Sequence, residues 1–269
     1  MRTKFLIFFG LGLLLNLPSY AGDLTIDADK QVEVHQNEQK LVALGNATAK
    51  QDGNSVRADS LTAYYQKNAE GKNEFISFHG KGNVYVNSAN TKAYGQTLDY
   101  DLKKAEIVLQ GKPAKIVNIN GDTITADGKI TYYPQKNMAV AVDNVIATGK
   151  KENNKVRGDK MISYFSKNAL GKNEMQKVDI TGNVKVFGQD TVATAKTGTY
   201  LPQEGLVKLE KDVIINQNGN IITGAYAETD LNTGISKMKS GEKGKRVSGV
   251  FKSEKKEKEV KTKDTDNGK

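Results

Sequence analysis

The 269-residue chain has no cysteine and no tryptophan, only two histidines and only four prolines. Without cysteine it has neither a disulfide framework nor a lipid-modified N-terminal thiol, so the folded body must hold together by packing alone. His35 and His79 are the only imidazoles, and neither has a second soft ligand at a metal-binding spacing. Zinc sites and nucleophile–histidine pairs therefore have almost nothing to build on. Asp23, Asp27 and Asp29 in DLTIDADK lack the turn glycine and closing glutamate of a calcium loop and read as a polar strand face. Aromatic residues make up 7% of the chain. No catalytic residue, metal or cofactor is expected, and the chain does not read as an enzyme.

Long apolar runs are scarce too. Outside the N-terminus no segment could span a bilayer. There, Arg2 and Lys4 precede an apolar run from Phe5 to Leu17, followed by Pro18 and a small-x-small ending at Ser19, Tyr20 and Ala21. This is the pattern of a secretory signal peptide over residues 1–21. This mainly apolar run of thirteen residues rises about 20 Å as a helix against a hydrocarbon core of roughly 30 Å, which argues against a permanent anchor.

A large charge of one sign is also missing from the body. The formal net charge is +9. Residues 237–269 hold 12 basic and 6 acidic side chains, and Arg2 and Lys4 lie in the signal, which leaves 26 basic and 25 acidic residues between 22 and 236. A nucleic-acid partner is excluded on that balance. The polar segment 237–269 reads as a disordered basic tail.

What is present is repetition. KNAEGKNEF at Lys67–Phe75 returns as KNALGKNEM at Lys167–Met175, and eleven of the twenty paired positions around it are identical. A finer repeat lies beneath: a small residue stands six positions before a tyrosine at Ala58/Tyr64, Ala126/Tyr132 and Gly158/Tyr164, with looser copies ending at Tyr100, Tyr200 and Asp230. The end points lie 30 to 36 residues apart, and the two longest intervals contain the octapeptide, which reads as an extended hairpin tip. About six stacked units of two or three strands predict one elongated body over 22–236, duplicated at a 100-residue offset.

Within the units hydrophobicity alternates with a period of two, the mark of half-buried strands, and Gly-Asn pairs punctuate them. The expected inward set is Val32, Val34, Ile76, Phe78, Val84, Val86, Ile107, Leu109, Val117, Ile119, Ile124, Val140, Val142, Val178, Ile180, Val184, Val186, Leu209, Val213 and Ile215. Alternation of this kind fits a dry sandwich core as well as it fits a cavity for a long apolar ligand.

The stretch IDADKQVEVHQNEQKLVALGNATAKQDGNSVRAD, Ile26 to Asp59, carries an Ala-Asp, alternating valines, a Gly-Asn-hydrophobic step and a second Ala-Asp. It resembles the repeat of the OstA-like/LptA family of periplasmic lipopolysaccharide transport proteins, with further copies from Ile124 and Val156. The resemblance implies an all-β fold, an elongated antiparallel two-sheet β-jelly roll with an open groove. It also implies that the inward set binds lipid A acyl chains of lipopolysaccharide, and that head-to-tail self-association joins LptC-like and LptD-like partners across the periplasm. The enzyme-class alternative is a β-helical polysaccharide-binding or polysaccharide-cleaving envelope protein, and a passive envelope scaffold is the third.

Overall fold

In the computed structural model, residues 24–151, 154–168, 173–241 and 246–252 are described; the expected signal peptide lies outside them. Among the described residues, eighteen antiparallel strands form one continuous ladder. They are β1 (Thr25–Asp27), β2 (Gln31–His35), β3 (Lys40–Gln51), β4 (Asn54–Lys67), β5 (Asn73–Ser88), β6 (Thr91–Asp101), β7 (Glu106–Gln110), β8 (Ala114–Asn118) and β9 (Thr123–Ala126). The second half comprises β10 (Lys129–Tyr133), β11 (Met138–Gly149), β12 (Asn154–Lys167), β13 (Asn173–Phe187), β14 (Thr191–Leu201), β15 (Leu206–Gln217), β16 (Asn220–Asp230), β17 (Ser236–Lys239) and β18 (Ser248–Val250).

The long strands do not run straight. Midway along β3, β5, β11, β13 and β15, two consecutive residues take positive φ: Gly45-Asn46, Gly82-Asn83, Asp143-Asn144, Gly182-Asn183 and Lys211-Asp212. The register shifts at each pair, as at a β-bulge, and a bulged strand bends. The neighbouring strand supplies the other half of the joint. Asn83 Nδ2 donates to both carboxylate oxygens of Asp59 at 3.1 and 3.0 Å, Asn183 does the same to Asp159 at 3.2 and 2.9 Å, and Asn144 donates to Asp127 at 2.8 Å. At β15 the polarity is reversed and Lys196 Nζ meets Asp212 at 2.6 Å. A Cβ on Gly82 or Gly182 would sit 2.1 or 2.2 Å from the facing carboxylate oxygen, so only glycine fits there. The Ala-Asp, Gly-Asp and Gly-Asn signatures of the sequence are thus the two sides of one bend.

Because every long strand bends at the same place, the ladder folds into two layers. The first contains β2, β7, β10 and β17, and the second β1, β8, β9 and β18; the bent strands β3–β6 and β11–β16 cross from one to the other. This is the two-sheet β-jelly roll, and its core is one cluster that runs along the body between the layers. Among the described residues the layers end in edges paired on one side only: β1 and β2 against β3, and β17 and β18 against β16.

Two expectations about the chain's segments can be placed. The first octapeptide is a hairpin tip joining β4 to β5, where Asn68 Oδ1 accepts the amides of Glu70 and Lys72 at 3.0 Å; residues 169–172 of its second copy lie outside the described residues. The tail expected from residue 237 needs correction. Ser236–Lys239 and Ser248–Val250 are strands paired with β16, because short alternating stretches such as VSGV suffice to extend an existing edge even in polar surroundings. Residues 253–269 lie outside the described residues.

Candidate functional site: the interior between the layers

The rows of residues that face each other across the strands define the interior. On the first layer one inner row reads Val34, Leu41, Ala63, Phe78, Tyr100, Ile107, Tyr132, Ala139, and onward to Val178, Tyr200 and Val207. On the second layer Val56, Val86, Ala93, Ile116, Ile124, Ala147 and Val156 form the matching inner row. Many inner positions are alanine, including Ala58, Ala63, Ala93, Ala126, Ala139 and Ala141, all buried. Slender side chains bring the layers close without filling every gap.

Most of the expected inward residues stand there. Val84, Val86, Ile107, Leu109, Ile124, Val178, Ile180, Val184, Val186, Leu209 and Val213 are buried in the interior cluster, and Phe78 and Ile215 are half-buried. Val32 and Val34 share inner rows with Ala43 and Leu41, yet they are 48 and 61% exposed because β2 is an edge. Ile76 falls in a second bulge, between the partners of Tyr64 and Tyr65, and has no cross-strand partner there.

Four expected residues face the other way. Val117 and Ile119 are displaced by Ile116, which sits between Ala93 and Ile124 and is 1% exposed, whereas Ile119 is 73% exposed. Val140 and Val142 point outward, while Ala139 and Ala141 point in between the bulkier Tyr132, Ile130 and Met161. In both cases the neighbouring strands fix the phase, and in a run such as AVAV the strand's own hydrophobicity does not reveal it. Sequence alternation also missed Tyr65, Phe75, Phe165 and Met175, which pair across the β4–β5 and β12–β13 hairpins beyond the second bulge. The repeated Tyr-aromatic dipeptides Tyr64-Tyr65 and Tyr164-Phe165 were the available signal.

The interior is not packed uniformly. An apolar cavity of about 100 Å3 opens at the β1–β2 end, lined from both layers by Ile26, Ala49 and Val56 on one side and Leu41, Leu61 and Phe78 on the other. A smaller one of about 40 Å3 lies farther along, between Val156, Val186, Ile180 and Leu209. An aromatic chain borders the first: Tyr65 meets Phe75 edge-on at 6.4 Å, Phe75 lies 5.1 Å from Phe78, and Phe78 stacks on Tyr100 at 6.5 Å. Burial pushes the Tyr100 and Tyr132 phenols above their ordinary range, so both stay neutral and the walls carry no charge from them.

The two long sides of the sandwich differ. On the bend side the layers are joined by continuous chain. On the turn side the backbone hydrogen bonds of the described turns stay within one layer, as for Leu102 to Ile76, Ile119 to Asn90, and Asn218 to Asp190. Among the described residues only side chains hold the layers together there, so that side can part with no loss of the ladder hydrogen bonds they make.

The fold is that of a two-layer β body with a predominantly apolar interior, bent at repeated Asp–Asn joints; the larger cavity is apolar along its walls and carries Lys50 and Asp52 in its lining. The chain matches the LptA/(LptD N-terminal domain) LPS transport protein family twice, over residues 25–138 and 123–235, and it belongs to that family. The family is one of transport proteins. Over 56 residues the chain is 48% identical to the LPS-assembly protein LptD of Alcanivorax borkumensis, which is 21% of this chain and 7% of that protein, so the chain spans a small part of that relative. The crystal structure of LptH from Pseudomonas aeruginosa, described as the LptA homologous periplasmic component of the lipopolysaccharide transport device, aligns over 86% of this chain and 96% of its own at 12% identity. The TM-score is 0.22, too low to bear on the architecture, which rests on the strand pairing.

Proposed function

We propose that the chain is a periplasmic carrier that binds the lipid A acyl chains of lipopolysaccharide between its two layers and relays them across the periplasm. The observation that carries this reading is the interior, predominantly apolar and open at the β1–β2 end, with no backbone bonds across the turn side among the described residues. A twelve-carbon chain withdrawn from water represents roughly 10 kcal/mol at about 0.8 kcal/mol per methylene. A trough of similar character along its length keeps that stabilisation while the lipid slides, and needs no chemistry of its own. The 100 Å3 cavity is smaller than the ~150 Å3 that accommodates a benzene ring, so a full acyl chain enters as the layers part.

The open edges supply the second half of the reading. Unpaired strands are ordinarily an aggregation hazard; here β1 and β2 of one copy extend the layers of the next through its β17 and β18. Such a heterologous contact grows a filament instead of a closed ring. LptC-like and LptD-like proteins of the same architecture would cap its two ends at the inner and outer membranes.

The test is site-specific photocrosslinking in cells. A crosslinker at Leu61 or Phe78 captures lipopolysaccharide, whereas one at Ile119 or at Lys72 on the hairpin tip does not. Equal capture at all four sites refutes an interior binding mode.

A further inference from the structure

We infer that the outer surface of the second layer at the C-terminal end docks on an anionic lipid bilayer. Two outward rows cross this surface. One reads Arg157, Lys185, Thr194, Ile214, Thr223, Ser248, and the other Lys155, Phe187, Val192, Asn216, Ile221, Val250. Between β12 and β18 neither row contains a carboxylate. The opposite outer surface, over the same strands, is mixed in sign, with Asp179, Glu210 and Glu228 among its lysines. The body is nearly neutral overall, but the two surfaces are not alike.

The basic residues are followed along the same rows by exposed aliphatic ones. Val192, Ile214, Ile221 and Val250 are 37 to 63% exposed. Lys155 Nζ lies 5.0 Å over the Phe187 ring, which places a cation at the border of the apolar patch. The surrounding sequence extends the charge: residues 237–252 contain six basic side chains and one acidic, Glu242, whereas residues 253–269 contain six and five. Arg246 and Lys252 flank β18 in the sequence, whereas Lys237 and Lys239 lie on β17 in the first layer, and the excess does not continue to the chain end.

Cations alone would suit any polyanion. Exposed aliphatics beside them suit a ligand that offers both an anionic surface and accessible hydrocarbon, which a glycan lacks and a bilayer interface has. The surface faces away from the interior, and where it reaches β18 it uses that strand's outer face and not its free hydrogen-bonding edge, so a copy docked in this way keeps its trough open to a neighbour.

The experiment is co-sedimentation of the mature chain with vesicles of phosphatidylethanolamine and phosphatidylglycerol, and with vesicles of pure phosphatidylcholine. The wild type binds the anionic vesicles and releases as salt is raised. Each basic residue near an anionic surface is worth about fivefold in partition, so Lys155→Glu, Arg157→Glu and Lys185→Glu together lower binding by at least roughly a hundredfold. Lys185→Glu alone lowers it about fivefold and serves if the triple variant does not fold. Val192→Ser with Ile214→Ser weakens binding even at low salt. The inference is overturned by equal binding to phosphatidylcholine, by no binding of the wild type, by full binding of the charge-reversed chain, or by complete loss in a chain that ends at Lys252, which would assign binding to the distal tail. Lipopolysaccharide capture at Phe78 remains in these variants, so failure here is distinct from failure of the carrier reading.

Discussion

Ile116 and Ile119 lie three residues apart, and the fold gives them opposite fates, one enclosed between Ala93 and Ile124 and the other in solvent. Replacing each in turn by alanine removes the same three carbons. At Ile116 the lost transfer free energy is about 2.5 kcal/mol at 0.8 per methylene, and the gap left in the interior raises the total to about 3–4 kcal/mol. At Ile119 the change stays within about 0.5 kcal/mol. With a slope of roughly 3 kcal/mol per molar urea, Ile116→Ala moves the midpoint down by about 1 M and Ile119→Ala leaves it in place. Urea unfolding followed by far-ultraviolet circular dichroism reads both. Equal shifts, or a larger one for Ile119, would refute the register of β8 and with it the assignment of the inner surface.

Other predictions concern the bends, the edges and one phenol. Gly82→Ala destabilises by about 2 kcal/mol or more through its positive φ and the facing Asp59 carboxylate, while Gly53→Ala, at a similar φ of 77° but with nothing within 4 Å, loses only about 1 kcal/mol; thermal melts compare the two. The mature protein forms linear oligomers that lengthen with concentration, and Val34→Lys on the β2 edge shortens them in sedimentation velocity; a strict monomer at high concentration refutes the edge-pairing model. Burial, together with the hydrogen bond that Tyr226 Oη donates to Glu228 at 2.8 Å, pushes the Tyr226 phenol up to about 12. A folded-state pKa above the unfolded value of about 10 favours the neutral phenol, so this contribution is complete below pH 10 and disappears as pH rises towards 12. The difference titration between wild type and Tyr226→Phe at 295 nm should show it, and a midpoint near 10 would contradict it.

The alternation of VDITGNVKV was enough to identify strands, and the Gly-Asn and Ala-Asp steps marked where something recurs every 30 to 36 residues. Their meaning as bends was not legible, because the Asp59–Asn83 hydrogen bonds join residues 24 apart and exist only once β4 and β5 pair. Strand phase was legible where valine or isoleucine alternates with polar residues, as at Val184 and Val186. It was lost where both faces carry small or aliphatic residues, as in KIVNI and MAVAV, since only the partner strand decides between them. The alanines of the inner rows went unnoticed for a related reason: hydrophobic patterning weights bulk, whereas a sandwich that leaves gaps needs the opposite. Tyr65 and Phe75 were hidden by the second bulge, which breaks the period of two just before the hairpin tip.

The most direct test of the account is the distance between the two layers on the turn side, with and without cargo. Spin labels at Lys72 and Ala89, which flank the two ends of bent β5, report it by pulsed electron paramagnetic resonance. Adding lipopolysaccharide should lengthen and narrow the distance distribution as the layers part around the acyl chains, and the change should vanish with delipidated core oligosaccharide. Lipopolysaccharide that binds while the distance stays fixed would contradict an interior that opens to receive it.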